Sequence, residues 1–296
     1  MNAEVLMTYS GILKISGKRY QAEWDEVEEK RLINQGAHGT VSLCQFRGHL
    51  MAVKSIQLDR EADLQVAGND LRTISLSHSN IVKYYGLFVT EGCLKICMEY
   101  MAGCFDQFLQ ITDQPIPENI IGKMSVSVVT ALHFLRTRNI MHRDIKPSNI
   151  LMSWSGVVKL CDFGISRELV LSRAHTREAG CVLYMAPERF EADRQEGYGI
   201  RSDVWSFGIT LVELATGKYP YAGNEYNIIR AIQKEDSPRL DAESFSPDFC
   251  DLVERCLQKD PERRPTFDEL LNHPFIQYHG LNTDAEDWVA DILSRE

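Results

Sequence analysis

The chain has 296 residues, of which 44% are hydrophobic and 25% are charged, a composition typical of soluble globular proteins. This composition excludes collagen-like, low-complexity and disordered chains. The formal net charge of −10 argues against binding to nucleic acid or to an anionic membrane through bulk positive charge. The sequence contains neither a signal-peptide pattern nor an apolar run of about 18 residues, so we expect a soluble protein that is not secreted.

Cysteine usage indicates the compartment. The eight cysteines lie too far apart, in too long a chain, to predict a disulfide framework or paired zinc ligands. We interpret them as reduced thiols of an intracellular protein. The expected location is the cytoplasm, with the nucleus left open as a second compartment.

The first third of the chain is rich in β-forming residues and punctuated by glycine. Residues 32–58 predict an antiparallel meander, and residues 81–88 and 94–98 predict two more strands. Between these segments, residues 59–77 carry apolar side chains at the spacing of one amphipathic helix.

The pattern becomes helical after residue 103. Residues 120–136, 202–216 and 246–257 predict helices, and a further helix is predicted to begin at Phe267. The chain is therefore predicted to have a small β-rich half and a larger helical half, joined near residues 99–103.

A glycine-containing string, NQGAHGTV at residues 34–41, lies between two predicted strands, and Lys54 follows on a third. Glycine lets a backbone approach phosphate closely, and a strand lysine can pair with the same phosphate. Because such a string is more often only a turn, it leaves both interpretations open by itself.

Three later motifs are far more specific. They are HRDIKPSN at residues 142–149, DFG at 162–164 and APE at 186–188, which match the protein-kinase set in order and spacing. Phosphoryl transfer needs a carboxylate beside the attacking hydroxyl, and Asp144 supplies one. It also needs oxygen ligands for magnesium, supplied by Asn149 and Asp162, and cations at the phosphates, supplied by Lys54 and Lys146.

From about residue 31 to residue 275, the chain resembles a eukaryotic protein kinase. The resemblance implies an α+β bilobal fold with a β-rich N-lobe (31–100), a larger helical C-lobe (101–276) and an ATP cleft between them. Residues 1–30 would then be an N-terminal extension, and residues 277–296 a C-terminal tail.

The resemblance also implies ATP and Mg²⁺ as cofactors and assigns roles to residues. Catalytic roles fall on Asp144, Lys146, Lys54 and Asp70, metal binding on Asn149 and Asp162, and structural roles on Arg143, Glu188, Asp203 and Arg264. The implied ATP-binding residues are Ile33, Asn34, Gln35, Gly36, Ala37, His38, Gly39, Thr40, Val41, Ala52, Lys54, Met98, Glu99, Met101, Leu151 and Cys161.

Three of these positions depart from the usual kinase pattern or leave alternatives open. Asn34 stands where a glycine is usual, and asparagine tolerates a positive φ. The carboxylate expected to pair with Lys54 is Asp70 by helical phase, although counting back from residues 78–82 lands on Asn69. Cys161 is either a small apolar wall residue or a nucleophilic thiol open to electrophiles.

The segment between DFG and APE indicates a subfamily. It contains SRAHT at residues 172–176, followed by AGC at 179–181. This resembles the S-x-A-x-T activation loop of the MAP kinase kinases, and the Gly-Cys pair resembles their stress-activated subgroup. The resemblance implies dual specificity for threonine and tyrosine, a downstream MAP kinase as substrate and an upstream MAP kinase kinase kinase as activator.

The same resemblance implies that Ser172 and Thr176 are phosphorylated to switch the protein on. Phosphate can order a loop by pairing with arginine, and Arg143 is the expected partner, with Arg173 and Arg177 as alternatives. Two rival hypotheses remain. One is an upstream Ser/Thr kinase of another branch, and the other is a pseudokinase scaffold.

The two ends of the chain suggest docking elements. Leu13-Lys14-Ile15 is a weak match to the peptide with which this family docks a MAP kinase, because no basic run precedes it. The alternatives are a different mode of docking and a shortened form of the chain. Residues 284–293 place Trp288, Val289, Ile292 and Leu293 at helical spacing. They predict either a docking helix for an upstream kinase or a terminal helix packed on the large lobe.

Overall fold

The computed structural model describes residues 8–36, 39–58, 76–90, 92–162, 182–190, 199, 201–282 and 285–295. The described residues form two compact units, one within Met1–Met101 and the other from Ala102 onward. The first unit is built on a β-sheet and the second is mostly helical, as the sequence predicts.

The small unit contains one seven-stranded sheet. Its strands are β1 (Ile12–Ile15), β2 (Lys18–Gln21), β3 (Glu28–Gly36), β4 (Gly39–Phe46), β5 (His49–Gln57), β6 (Tyr84–Thr90) and β7 (Cys93–Glu99). Neighbouring strands are antiparallel, in the order β2-β1-β6-β7-β5-β4-β3. The predicted meander is confirmed as β3, β4 and β5. Of the helix predicted at 59–77, residues 59–75 lie outside the described part of the chain, so this helix stays a prediction.

The β1–β2 hairpin lies within the segment that the sequence suggests is an extension. It joins the sheet where Leu13 pairs with Gly86 of β6. Gly86 has a φ of +153°, and a Cβ there would stand 2.2 Å from the Ile12 carbonyl oxygen, so this approach requires glycine. Leu13 is fully buried and Ile15 nearly so, which contradicts the interpretation of Leu13-Lys14-Ile15 as a docking peptide.

The hairpin covers one face of the sheet with apolar side chains. Leu13 and Ile15 pack in a single cluster with Phe46, Met51 and Phe88, among others. Around it, the ring of Tyr20 meets Phe46 edge-on, and Trp24 meets Phe88 in the same way. This outer core leaves the opposite face of the sheet for the predicted ATP-binding side chains.

The large unit carries the helices. They are α1 (Phe105–Thr112), α2 (Glu118–Arg136), α3 (Arg201–Thr216), α4 (Glu225–Lys234), α5 (Pro247–Cys256), α6 (Phe267–Leu271), α7 (Pro274–Asn282) and α8 (Glu286–Leu293). A small sheet of β8 (Gly103–Cys104), β9 (Ile150–Met152) and β10 (Val158–Leu160) lies in the same unit. The helices predicted at 120–136, 202–216 and 246–257 correspond to α2, α3 and α5. In the described part of the chain, no helix has the length and apolar character needed to cross a bilayer.

The C-terminal helix α8 packs on the large unit. Trp288 stacks on Phe105 with ring centroids 6.3 Å apart and meets Phe108 edge-on at 5.5 Å. Val289 and Ile292 are buried, and Trp288 is half-buried. Of the two interpretations left open by the sequence, the structure therefore supports a packed terminal helix, because its apolar face is already covered by its own chain.

Candidate active site

The loop at residues 142–149 is held from below by Asp203, in the first turn of α3. The two carboxylate oxygens of Asp203 accept hydrogen bonds from the backbone N–H groups of His142, at 2.9 Å, and Arg143, at 2.8 Å. Asp203 is buried, so these bonds supply the partners that a buried carboxylate requires. The predicted structural role of Asp203 thus has a geometric basis in two backbone contacts.

His142 locks the loop from its other side. Its Nε2 lies 2.9 Å from the Cys161 carbonyl oxygen and therefore donates, while its Nδ1 accepts the N–H of Asp144 at 3.3 Å. Burial lowers the pKa of His142 by more than the negative charges of Asp203 and Asp144 raise it. The ring is accordingly neutral, with the proton on Nε2, and links the loop to the residue before Asp162.

Asp144, the predicted catalytic carboxylate, is surrounded by partners within the same loop. Its Oδ2 lies 2.9 Å from Lys146 Nζ and accepts a hydrogen bond of 2.8 Å from Asn149 Nδ2. Burial raises the pKa of Asp144, but the charge and hydrogen bond of Lys146, together with Asn149, more than offset it and hold the pKa below its ordinary value. Asp144 is therefore a carboxylate at neutral pH.

A short turn explains how Asn149 returns to Asp144. Pro147 begins a single 3₁₀ turn, where its fixed φ suits the first helical position, and Asn149 N–H closes this turn on the Lys146 carbonyl. The turn brings Asn149 Nδ2 within 2.7 Å of the Asp144 carbonyl as well as its carboxylate. The sequence K-P-S-N thus folds the loop back on its own aspartate.

The predicted metal ligands Asn149 and Asp162 are brought together by the β9–β10 pairing. Leu160 pairs with Ile150, and the N–H of Cys161 donates to the Asn149 carbonyl at 3.0 Å. Asn149 and Asp162 therefore flank the same end of this two-stranded ribbon. Arg143 and Asp162 both have left-handed backbones, with φ of +69° and +59°, a strain that proteins retain mainly at functional positions.

The donor set fits magnesium. Both amide hydrogens of Asn149 are directed at Asp144, and within the described residues no donor reaches its Oδ1, which leaves that oxygen as a ligand atom. Asp162 adds a carboxylate. Mg²⁺ prefers such hard oxygen ligands and usually takes only one or two from the protein, completing its shell with phosphate and water.

In the small unit, strand register places the predicted ATP-binding side chains on one face. Lys54 pairs with Val41 and Ile96, and Ala52 pairs with Met98 in the next row of the same face. Because side chains alternate along a strand, the neighbouring residues point into the outer core on the other face. Lys54 is buried, at 6% exposure, in the middle of β5.

The glycine loop has one obligatory glycine among its described residues. Gly39 has a φ of +112°, and a Cβ there would stand 2.0 Å from the Ser55 carbonyl oxygen. Asn34 pairs with Val41 and keeps an ordinary negative φ, so its tolerance of positive φ is not used. Ala37 and His38 lie outside the described residues.

The remaining predicted ATP contacts are divided between the units. In the small unit, Met101 follows β7, and its backbone N–H and C=O form no hydrogen bond with any described residue. In the large unit, Leu151 lies on β9 and the buried Cys161 follows β10. The N–H and C=O of Met101 could therefore form the hydrogen bonds with adenine that the kinase resemblance implies.

The A-P-E glutamate and Arg264 form a buried ion pair in the large unit. Two hydrogen bonds of 2.8 and 2.7 Å join the guanidinium to the two oxygens of Glu188, and Ser202 Oγ adds a third bond at 2.8 Å. Burial raises the pKa of Glu188, but the hydrogen bonds and charge of Arg264 hold it below its ordinary value. The pair anchors the chain directly after the segment 182–186.

Several predicted residues lie outside the described part of the chain. These are Asp70 with its alternative Asn69, the phosphorylation positions Ser172 and Thr176, and the arginines Arg173 and Arg177. Their roles stay predictions.

Sequence reasoning missed one set of contacts, which involves Leu183 and Tyr184. Tyr184 donates a hydrogen bond of 2.6 Å to Glu213, and Tyr219 donates one of 2.5 Å to the Leu183 carbonyl. Glu213 could have been found, because a lone carboxylate in the otherwise apolar stretch 207–215 requires a buried partner. Nothing in the sequence marks Tyr219.

Comparisons with known proteins agree with these motifs. Residues 27–276 match the protein kinase domain family. The chain is 50% identical over 289 residues to the dual specificity mitogen-activated protein kinase kinase mek-1 of Caenorhabditis elegans, covering 96% of this chain and 83% of that protein. It is 41% identical over 303 residues to dual specificity mitogen-activated protein kinase kinase 7 of Homo sapiens, covering 98% of this chain and 72% of that protein. Over 304 residues it is 38% identical to the Drosophila melanogaster kinase kinase hemipterous, covering 99% of this chain and 26% of that protein.

Proposed function

Because the chain belongs to the protein kinases, and among them to the dual-specificity MAP kinase kinases, we propose that it phosphorylates threonine and tyrosine in the activation loop of a stress-type MAP kinase. The phosphoryl donor is ATP. The observation that carries the proposal is the Asp144 carboxylate, kept ionised by Lys146 and Asn149 in a loop fixed by Asp203.

Asp144 receives the acceptor hydroxyl. A carboxylate with a lowered pKa is a weak base, so its main contribution is to orient the hydroxyl toward the phosphorus and to take its proton as the bond forms. Asn149 and Lys146 restrain its Oδ2, and since no donor in the described part of the chain contacts Oδ1, that oxygen can receive the hydroxyl. Positioning of this kind is the larger part of catalysis in phosphoryl transfer.

Cations offset the negative charge of the transferred group. Lys146 lies within hydrogen-bond distance of Asp144 and therefore sits at the reacting oxygen, where it can contact the γ-phosphoryl group. Lys54, on β5, would contact the α- and β-phosphates. Asn149 and Asp162 would hold Mg²⁺, which when bound would offset the negative charge of the phosphate oxygens.

Activation depends on phosphorylation of Ser172 and Thr176 by an upstream MAP kinase kinase kinase. Each phosphate adds about −1.5 to −2 charge, which can order the loop by pairing with Arg143. The S-x-A-x-T spacing supports these two positions. The stress-type target is supported by the Gly-Cys pair at 180–181 and by the similarity to kinase kinase 7 and hemipterous.

A substrate panel tests the proposal. The purified chain is phosphorylated with candidate upstream kinases and then given each class of MAP kinase, or a generic basic protein, with Asp144→Asn and the double variant Ser172→Ala, Thr176→Ala as controls. We expect selective phosphorylation of a stress-type MAP kinase on both threonine and tyrosine, absent from both controls.

Each rival hypothesis has its own outcome. Equal activity on the generic protein would favour an upstream kinase of another branch. Unchanged phosphorylation by the Asp144→Asn variant would favour a pseudokinase scaffold that carries a contaminating activity.

A further inference from the structure

The segment 182–185 in the large unit is held by side chains from α3 and from the turn that follows it. Tyr219 Oη donates to the Leu183 carbonyl at 2.5 Å, and Ser206 Oγ donates to the Tyr184 carbonyl at 2.7 Å. The Tyr184 hydroxyl in turn donates to Glu213 at 2.6 Å. Two successive carbonyls and one side chain of a four-residue segment are therefore fixed by residues more than twenty positions away.

Tyr219 is the partner of the Leu183 carbonyl, and within the described residues no other donor reaches that oxygen. Its ring also meets the ring of Tyr184 edge-on, with centroids 5.8 Å apart. Burial raises the pKa of both Tyr184 and Tyr219, so both hydroxyls remain protonated donors at neutral pH. The two tyrosines thus form one clamp on the segment.

The clamp lies next to the Asp144 loop. Asp203, in the first turn of α3, accepts hydrogen bonds from the N–H groups of His142 and Arg143 in that loop. Ser206, one turn later on the same helix, donates to the Tyr184 carbonyl. The segment 182–185 and the Asp144 loop are therefore both held by the N-terminal part of α3, which places the segment beside the loop that receives the acceptor hydroxyl.

We propose that Tyr219 is a positioning residue for the protein acceptor: by holding the Leu183 carbonyl, its hydroxyl fixes the segment 182–185 beside Asp144. The proposal rests on the protein-kinase function above. It predicts that loss of this hydroxyl weakens binding of the protein acceptor while ATP binding and the phosphoryl-transfer step are preserved, since Tyr219 touches neither ATP nor the reacting atoms.

The chain offers a matched control. Tyr221 lies two residues away, its ring 6.0 Å from that of Tyr219, and its buried hydroxyl has no hydrogen-bond partner among the described residues. Tyr219→Phe and Tyr221→Phe each remove one buried hydroxyl from the same cluster. Only the first leaves a backbone carbonyl without its donor.

Steady-state kinetics of the activated full chain test the proposal. For Tyr219→Phe we expect the KM for the MAP kinase acceptor to rise about fivefold to tenfold, as loss of one buried hydrogen bond implies, with kcat and the KM for ATP changed by less than about twofold. Tyr221→Phe should match the wild type in all three. A rise in the ATP KM, or equal acceptor KM values in the two variants, would overturn the proposal.

Hydrogen exchange adds a readout independent of turnover. The amide of Met185, which donates to the Val182 carbonyl, should exchange faster in Tyr219→Phe than in Tyr221→Phe. If the wild type acts on a generic protein but on no MAP kinase, the proposed target fails and the same KM comparison on that protein decides the role of Tyr219. If it phosphorylates no protein, both proposals fail.

Discussion

Arg264 donates two parallel hydrogen bonds to the Glu188 carboxylate, and all five of its guanidinium hydrogens have acceptors. The remaining three acceptors are the carbonyl oxygens of Gln258, Arg201 and Lys259. The arginine side chain is fully buried and that of Glu188 is 7% exposed. Such a pair joins the end of the segment 182–188 to the core of the large unit.

Removal of Arg264 should destabilise the protein strongly. Arg264→Met leaves the Glu188 carboxylate buried without its partner, a change that costs about 3–5 kcal/mol in the free energy of unfolding. Urea denaturation of the full chain, followed by tryptophan fluorescence, measures the loss. Arg263→Met is the matched control, because its ion pair with Asp260 is exposed and should contribute at most about 1 kcal/mol. Equal losses in the two variants would contradict the inference.

Replacement of Lys146 should change the pH dependence of the reaction as well as its rate. In the wild type, Lys146 holds the pKa of Asp144 low, whereas burial raises it. In Lys146→Met the effect of burial remains, so the Asp144 pKa rises and its carboxylate becomes protonated at a higher pH. The acid limb of kcat/KM against pH should move to higher pH, with the plateau lower by about 10²-fold. An unmoved acid limb would show that Lys146 does not set the pKa of Asp144.

Asp203→Asn should slow phosphoryl transfer without weakening ATP binding. An asparagine offers one carbonyl oxygen in place of two carboxylate oxygens, so one of the His142 and Arg143 amides loses its acceptor and faces an NH₂ group. The displaced loop should lower kcat about 10²-fold, as small misplacements of a catalytic group do. Kinetic comparison with Asp260→Asn, which changes a surface carboxylate, checks the effect. A loss confined to the KM for ATP would argue against this role.

The β1–β2 hairpin should be part of the folded kinase unit. Leu13→Ala empties a fully buried position in the outer core and should cost about 2–5 kcal/mol in the free energy of unfolding. Leu50→Ala, at a position 46% exposed, should change stability by no more than about 0.5 kcal/mol. Thermal denaturation of both variants measures the difference. A tolerant Leu13→Ala would mean that the hairpin is dispensable for folding.

Local sequence was sufficient for the elements and motifs whose contacts are close along the chain. The meander at 32–58 follows from alternating residues and glycine turns. The fold-back of Asn149 onto Asp144, five positions earlier, follows from the proline-initiated turn Pro147–Asn149. The loop residues 142–149 could be assigned chemistry because phosphoryl transfer demands a carboxylate, an amide and a cation at close spacing.

Tertiary structure decided the contacts between residues distant in sequence. Asp203 lies 61 residues from His142, and Tyr219 lies 36 residues from Leu183, so no local pattern predicts either pairing. The β1 register depends on how closely Gly86 admits a neighbouring backbone, and the burial of α8 depends on the rings of Phe105 and Phe108. The sequence by itself therefore determined the family and the reacting groups. Only the fold decided how those groups are held, because a hydrogen bond or a packed ring depends on distance in space and not along the chain.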